Sequence, residues 1–374
     1  MSMNPRSTTD KIKADYRSYV SSILTVRDSE ISQLAKNEVK HTAFVKGPFL
    51  ETTLPFKDGK SLKELADAGI ISKEFSKMGE NVHYDDWKLR IHQERAIKHI
   101  IEEDRNMVVS TGTGSGKTEC YLYPVFNEIM REKEAGTLDP GVRSLLIFPM
   151  NALANDQQKK LRKLLAEYPD ITFGRYTGET KHSKIKETPE EAEKRLHQEY
   201  DVQHQDDLDE SSKKSIPNEL MCREYMAKNP PHILLTNYAM LEFMLLRPDT
   251  APFFDTDKAK NWKFIVIDEA HTYKGAVGTE IAFLLRRLKE RIQHHRSEAF
   301  RCIATSATLG TEGVKFALAE FAAQLFGEPF DETDVITTER QHRVPGKNDR
   351  DYSLQEYQSI KEKSKSFEEC CLAH

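Results

Sequence analysis

The stretch Ser110–Glu119 carries three glycines followed directly by a lysine and a threonine. An apolar run, Met107–Val109, precedes it, and a segment typical of a helix follows. Glycine lets successive backbone N–H groups turn toward an anion at a helix start, so the stretch predicts a phosphate-binding loop. Lys117 would add positive charge at the β- and γ-phosphates, and the Thr118 hydroxyl would bind Mg²⁺. The predicted nucleotide-binding residues of the loop are Thr113, Gly114, Ser115, Gly116, Lys117 and Thr118.

Two adjacent carboxylates follow a second apolar run. Phe264–Ile267 is rich in β-branched residues, as buried parallel strands are, and it leads into Asp268-Glu269-Ala270-His271. We expect Asp268 to hold Mg²⁺ and Glu269 to orient and deprotonate an attacking water. The two motifs together therefore predict hydrolysis of a nucleoside triphosphate, with ATP and Mg²⁺ as the bound groups.

Strand-like runs alternate with helical patterns along most of the chain. Such alternation predicts an α/β fold in which helices flank a parallel sheet and ligands bind at the carboxyl ends of the strands. The strand-like runs are Met107–Val109, Leu145–Phe148, Ile171–Tyr176, Ile233–Leu235, Phe264–Ile267 and Arg301–Thr305.

Composition narrows the class of protein. The chain has 374 residues, of which 38% are hydrophobic and 31% charged, enough apolar material for one large core. The formal net charge of −5 gives no bulk attraction to nucleic acid, so any such binding has to be local. The 5 cysteines show no CxxC spacing and indicate neither a zinc ribbon nor a disulfide framework. No leader peptide or membrane-length apolar run is evident, which makes a cytoplasmic location the default expectation.

We expect three regions along the chain. Residues 1–85 are predicted as an accessory extension with an amphipathic helix near Tyr16 and Tyr19. Residues 86–330 are predicted as the catalytic domain, and residues 331–374 as a linker or tail. Within the catalytic domain, residues 181–230 are highly charged and are predicted to be an insertion. Two roles remain open for this insertion: an arm that faces nucleic acid or a partner, and a solvated charged loop.

The motifs taken together, from Leu89 to Leu309, resemble those of superfamily 2 helicases in their order. Thr111–Thr118 is similar to the A/T-x-T-G-x-G-K-T form of motif I, in which Thr111 stands where the general phosphate-loop pattern has glycine. Pro149–Gln157 resembles motif Ia, and Ser306-Ala307-Thr308 resembles motif III. The resemblance implies a RecA-like P-loop NTPase fold, the first motor domain of a DExH/DEAH-box helicase.

The resemblance also implies roles for single residues. Gln93 would recognise adenine through the donor and the acceptor of its amide. His271 would couple hydrolysis to movement, with Ser306 and Thr308 as its partners in motif III. Asn151 replaces the usual basic residue of motif Ia, so its phosphate contact would lack a charge. The residues implied to contact nucleic acid are Asn151, Thr177, Gly178, Thr236 and Asn237.

The wording of several motifs looks most like the bacterial DExH branch that includes mitomycin-repair helicases and phage-defence relatives. No Gln-x-x-Gly-Arg-x-Gly-Arg motif follows Thr308. We therefore expect a second RecA-like domain or subunit to supply the arginine that completes catalysis, and weak activity without it. The expected partner is nucleic acid, DNA rather than RNA, and no membrane.

Three alternatives remain open at this point. The chain could be a nucleotide-gated clamp that binds ATP without turnover, one half of a split motor, or a double-strand translocase subunit. All of them share the motifs above.

Overall fold

The computed structural model describes residues 5–24, 27–42, 44, 54–85, 87–205, 214–295, 298–307 and 312–341. The chain divides into one unit of Met1–Pro55 with His342–His374, and a second of Phe56–Gln341. In the first unit, α1 (Pro5–Ile23) and α2 (Ser29–His41) are helices. Asp28 begins α2 because its carboxylate accepts the N–H groups of Glu30 and Ile31, at 2.9 and 3.0 Å.

The second unit is built on a parallel sheet. Its strands are β3 (Met107–Ser110), β4 (Ser144–Phe148), β5 (Phe173–Arg175), β6 (Glu219–Leu220), β7 (Ile233–Asn237), β8 (Phe264–Ile267), β9 (Arg301–Ser306) and β10 (Val335–Thr337). They lie in the order β10-β3-β9-β8-β4-β7-β5-β6, and neighbours pair in parallel throughout. A separate antiparallel ribbon joins β1 (Asp58–Ser61) to β2 (Lys88–Arg90). The prediction of an α/β fold with a parallel sheet is confirmed.

Helices cover both faces of the sheet. They are α3 (Leu62–Asp67), α4 (Ile91–Ile101), α5 (Lys117–Glu134), α6 (Asn151–Leu164), α7 (Pro189–Gln203), α8 (Arg223–Lys228), α9 (Tyr238–Leu246), α10 (Gly275–Gln293) and α11 (Glu312–Phe326). Alternate residues of β3 enter different cores: Val109 packs with Phe126 of α5, and Val108 packs with Leu285 of α10. None of the described helices combines the length and the apolar character needed to cross a bilayer.

The ends of the catalytic unit differ from the predicted boundaries at 85 and 331. Residues 56–85 belong to this unit, and Leu65, Phe75 and Met78 are buried in the same core as α5. At the other end, β10 adds a strand beside β3, so the sheet continues into the region predicted as linker. The sequence does not reveal β10 because this strand has only 3 residues.

The charged segment 181–230 is partly folded onto the sheet rather than wholly solvated. Its strand β6 pairs with β5 at the sheet edge. Arg162 of α6 holds β6 by a two-pronged ion pair with Glu219, both contacts 2.7 Å, and the two side chains are 3% and 0% exposed. The charge of Glu219 is therefore satisfied by a buried ion pair, which an average over composition does not reveal.

His232 supplies a pH-dependent contribution to stability. Its Nδ1 accepts the N–H of Thr172 at 3.0 Å and its Nε2 faces the carbonyl of Asp139 at 3.2 Å, so the packing specifies the neutral ring. Burial lowers the pKa of His232 from 6.5 to about 4. The unfolded chain binds this proton at higher pH than the folded chain, so stability is lost as pH falls from 6.5 toward 4.

We expect His232 to contribute a loss of about 3 kcal/mol in the free energy of unfolding across that range. Urea unfolding of the wild-type chain and of His232→Asn, from pH 7 to pH 4, checks this. The non-titrating variant should show a shallower decline. Parallel declines for the two proteins would assign the acid sensitivity to other groups.

Candidate nucleotide site and nucleic-acid face

The loop between β3 and α5 depends on glycine at two positions. Gly114 and Gly116 have φ of 72° and 78°, in the left-handed region that other residues avoid. A Cβ on Gly116 would lie 2.3 Å from Nε2 of Gln93. Substitution at Gly116 would therefore strain the backbone and displace Gln93 together.

Side chains inside the loop hold its shape. The Thr111 and Ser115 hydroxyls are 2.5 Å apart and buried, and the Ser115 carbonyl lies 2.8 Å from Nε2 of His92. The Ser115 side chain therefore supports the loop, which leaves its backbone N–H as its possible contact with phosphate. Thr111 stands where the general pattern has glycine. Its hydroxyl contacts the Ser115 hydroxyl, a contact that glycine could not make.

Gln93 lies against this loop. Its Nε2 donates to the Gly116 carbonyl at 3.2 Å, and its Oε1 accepts the N–H of Arg90 at 2.8 Å. The amide retains one hydrogen and one lone pair for a ligand. Recognition of adenine by Gln93 stays a prediction.

Thr305 organises the acidic pair, a role that the sequence analysis missed. Its hydroxyl donates to Oδ1 of Asp268 and accepts the N–H of Glu269 at 3.0 Å. Glu269 has a left-handed backbone, with φ 49° and ψ 45°, a conformation that residues other than glycine seldom adopt. Lys117 reaches across from the phosphate loop to Oε1 of Glu269, at 2.9 Å. The only sequence signal for Thr305 is its place immediately before motif III.

The electrostatics of the site suit a cation and a water. Burial raises the pKa of Asp268, and a bound cation would favour its ionised form. Oε2 of Glu269 is buried and has no hydrogen-bond partner among the described residues, although Nδ1 of His271 lies 3.2 Å away. A water could therefore complete the coordination of Glu269.

The residues present fit Mg²⁺ better than a metal held by protein alone. Within the described ranges no cluster of three or more His, Cys, Asp or Glu forms a metal cage. Thr118 and Asp268 offer two oxygens near the phosphate loop, the small protein contribution that Mg²⁺ takes when phosphates and waters supply the rest.

Helix α6 contacts the phosphate loop through two side chains. Nε2 of Gln157 donates to the Thr118 hydroxyl at 3.2 Å, and Lys160 pairs with Glu119 at 2.6 Å. The helix that begins with Asn151 therefore contacts the predicted metal ligand directly.

Three of the predicted nucleic-acid residues come together at the start of α6. Nδ2 of Asn237 donates to Oδ1 of Asn151 at 2.7 Å, and Nδ2 of Asn151 donates to Glu179 at 3.1 Å. Gly178, next to Glu179, is exposed. We call Asn151, Gly178, Glu179 and Asn237 the nucleic-acid face, and contact with nucleic acid there stays a prediction.

Thr177 and Thr236 depart from the expectation that they contact nucleic acid. Both are fully buried. The Thr236 hydroxyl donates to the Tyr176 carbonyl at 2.7 Å, and the Thr177 hydroxyl accepts from Arg175 at 3.1 Å. Their hydroxyls satisfy the protein backbone and a neighbouring cation, so they position the face rather than form it.

The structure describes His271 and Ser306, two of the three residues predicted to couple hydrolysis to movement. Nδ1 of His271 accepts the N–H of Ala307 at 3.5 Å, which joins motif II to motif III. The Ser306 carbonyl accepts the N–H of Thr111 at 3.1 Å, which joins motif III to the phosphate loop. Thr308 lies outside the described residues.

Phe56 also lies near the phosphate loop. The sequence pattern did not predict this position. Its ring lies between the guanidinium groups of Arg90 and Arg340, each 4.4 Å from the ring centroid. Arg90 in turn donates to the Gly114 carbonyl at 2.7 Å. The beginning and the end of the catalytic unit therefore meet at the phosphate loop.

A family model described as DEAD/DEAH box helicase matches residues 90–197 and 183–316. The chain belongs to this family. The match confirms the resemblance to a DEAD/DEAH-box helicase that was drawn from the sequence.

Named relatives agree with this assignment. The Druantia protein DruE of Escherichia coli is 30% identical over 83% of this chain and 21% of its own length. Structures of the DUF1998 helicase MrfA, bound to DNA and bound to DNA and AMPPNP, are 25% identical with TM-scores of 0.52 and 0.51. They cover 76% of this chain and 31% and 30% of MrfA. The DEAD-box helicase Mss116, 19% identical over 73% of this chain and 44% of its own, matches in fold with a TM-score of 0.50.

The chain spans about a fifth of DruE and under a third of MrfA.

We expect Thr305→Val to lower ATP turnover by about tenfold, because it removes the hydroxyl that holds Asp268 and the N–H of Glu269. Affinity for a fluorescent ATP analogue should change much less. Thr305→Ser keeps the hydroxyl and should stay near wild type. Equal turnover in the wild-type and valine proteins would show that the acidic pair is positioned without Thr305.

Proposed function

We propose that this chain is the nucleotide-hydrolysing half of a motor that moves along one strand of DNA. The observation that carries the proposal is the joint placement of Lys117, Glu269 and the Thr305-held Asp268 at the carboxyl edge of the sheet. The nucleic-acid face lies along the same edge and connects to Thr118 through Gln157.

In this proposal Lys117 leaves Glu269 and binds the β- and γ-phosphates of ATP. Thr118 and Asp268 would hold Mg²⁺, which would supply positive charge to the phosphates. Glu269, released from the lysine, orients the attacking water through Oε2 and accepts its proton. An intact Glu269 favours hydrolysis over the clamp that binds ATP without turnover.

The nucleic-acid face supports a single strand held by its backbone. Neutral amides of Asn151 and Asn237 and the exposed backbone at Gly178 suit hydrogen bonds to phosphate, which carry no sequence information. The MrfA structures bound to DNA, at 25% identity, favour DNA as the strand. We assign completion of the site to a second RecA-like domain or subunit, which would supply an arginine worth roughly 10³ to 10⁵ in turnover.

We expect slow ATP hydrolysis by the chain, stimulated by single-stranded DNA and abolished in Glu269→Gln. Removing a general base costs roughly 10² to 10⁴ in rate, while the phosphate loop still binds nucleotide. Phosphate release with and without oligothymidine, beside a nucleotide titration, measures both effects. Binding without any turnover in the wild type would point to the half-motor that needs its partner, and turnover in Glu269→Gln would remove Glu269 from its assigned role.

Glu179 places a negative charge on the nucleic-acid face. Hydrogen bonds from Arg175 and Asn151 lower the pKa of Glu179, so it is ionised at neutral pH. We expect Glu179→Gln to tighten binding of single-stranded DNA by about threefold at low salt, with the gain lost at high salt.

Asp170→Asn is the matched control, because it removes one exposed charge ahead of β5, at the opposite end of the strand. Fluorescence anisotropy at two salt concentrations makes the comparison. Equal gains in the two variants would show a net-charge effect and no contact at Glu179.

A further inference from the structure

A cavity of about 370 Å³ opens where the charged segment meets the motif Ia helix. Its walls come from α6, the end of β5, the C-terminal half of α7, and β6. We call it the insertion pocket, defined by Lys159, Arg175, Lys181, Tyr200, His204 and Glu219. Its volume falls in the range of small-molecule sites, about 300 to 1,000 Å³.

One wall of the insertion pocket is a stack of three planar groups. The Arg162 guanidinium lies 4.4 Å from the Tyr200 ring centroid, and the His204 ring stacks on Tyr200 at 3.9 Å with an angle of 14°. Nδ1 of His204 is 2.9 Å from the Tyr200 carbonyl, which fixes the imidazole plane. Among the described residues His204 is the outermost layer of this stack, so a planar ligand placed on it would extend the stack.

The wall is held in place before any ligand arrives. Arg162 is fixed by Glu219, which also accepts from Nε2 of Gln158 at 2.6 Å. Glu193 of α7 accepts the N–H groups of Met221 and Cys222, both at 2.7 Å. A preformed wall reduces the ordering cost of binding.

Some positively charged side chains of the pocket are paired with carboxylates and others are not. Arg162 pairs with Glu219, and Arg175 pairs with Glu179 at 2.8 Å. Lys159 and Lys181 are exposed, and neither has a side-chain ion pair with any described residue. Two uncommitted ammonium groups suit one phosphate group better than the longer anionic chain of a triphosphate.

The insertion pocket adjoins the nucleic-acid face. Glu179 belongs to both, and Asn155, one helical turn after Asn151 on α6, also lines the cavity. We propose that the insertion pocket binds one nucleotide, its base stacked on His204 and its phosphate held by Lys159 and Lys181. The nucleotide comes from the strand on the nucleic-acid face, so this source rests on the proposed function. The charged segment then extends the strand-binding site of the motor domain.

The first test measures binding of fluorescent 12-nucleotide oligothymidine to the 374-residue chain by anisotropy. His204→Ala should weaken binding by roughly tenfold, the order contributed by one stacked base. Gln198→Ala, an exposed position on α7 outside the pocket, should leave it unchanged. Affinity within about twofold of wild type for His204→Ala overturns the proposal for a strand.

The second test asks whether the two lysines bind a phosphate, by measuring the salt dependence of oligothymidine binding. Lys159→Ala and Lys181→Ala should each reduce the slope of log affinity against log salt, by at most about 0.7, the value for one phosphate contact with a single strand. Lys194→Ala, an exposed lysine of α7 outside the pocket, is the control and should keep the wild-type slope. Equal slopes in all four proteins overturn the phosphate role of the two lysines.

A third arm distinguishes a strand from a free nucleotide. Thymidine monophosphate is titrated by NMR into Lys117→Ala, whose phosphate loop is weakened, with and without His204→Ala. A His204-dependent shift, together with oligothymidine binding that ignores His204, assigns the pocket to a free nucleotide and overturns the strand as the source. If the wild-type chain binds no oligothymidine, the proposed function fails, and this arm alone decides whether the pocket takes a nucleotide.

Discussion

A parallel sheet places the carboxyl ends of its strands along one edge, and the arrangement of this domain depends on that constraint. β3 ends in the phosphate loop, β8 in Asp268 and Glu269, and β9 in Thr305 and Ser306. Residues separated by more than 150 positions thereby come within hydrogen-bond reach, as Lys117 and Glu269 do. The helices serve this edge from both sides, since each core anchors alternate residues of the same strands.

The charged segment illustrates how polar residues can build structure when they pair. Arg223 of α8 donates to the carbonyls of Thr180 and Thr177, at 3.0 and 2.6 Å, and so fixes the loop that carries Gly178. Such buried contacts replace hydration with directed hydrogen bonds, which specify one geometry where apolar packing would tolerate several. The segment is thus part of the scaffold for the nucleic-acid face as well as the wall of a cavity.

Sequence reasoning reached the parallel sheet, the phosphate loop and the acidic pair because each has a local signal: an apolar run, a glycine spacing, a strand that ends in carboxylates. It went wrong where the answer depended on direction in space. The hydroxyls of Thr177 and Thr236 turn inward to the protein backbone and to Arg175, which neighbours in sequence do not dictate. Thr305 carried no signal of its own, and β6, with 2 residues in a charged segment, lies below any periodicity.

The hydrogen bond from Gln157 to Thr118 links the two proposed binding sites through one contact. Gln157 lies on the helix that begins at Asn151, a residue proposed to bind the strand, and the Thr118 hydroxyl is a proposed ligand of Mg²⁺. Thermodynamic linkage is symmetrical: whatever factor the strand applies to nucleotide affinity through this bond, the nucleotide applies to strand affinity. In the proposed motor, binding of the strand and binding of the nucleotide are therefore one coupled equilibrium. Loss of a phosphate from the nucleotide would then change the affinity for the strand.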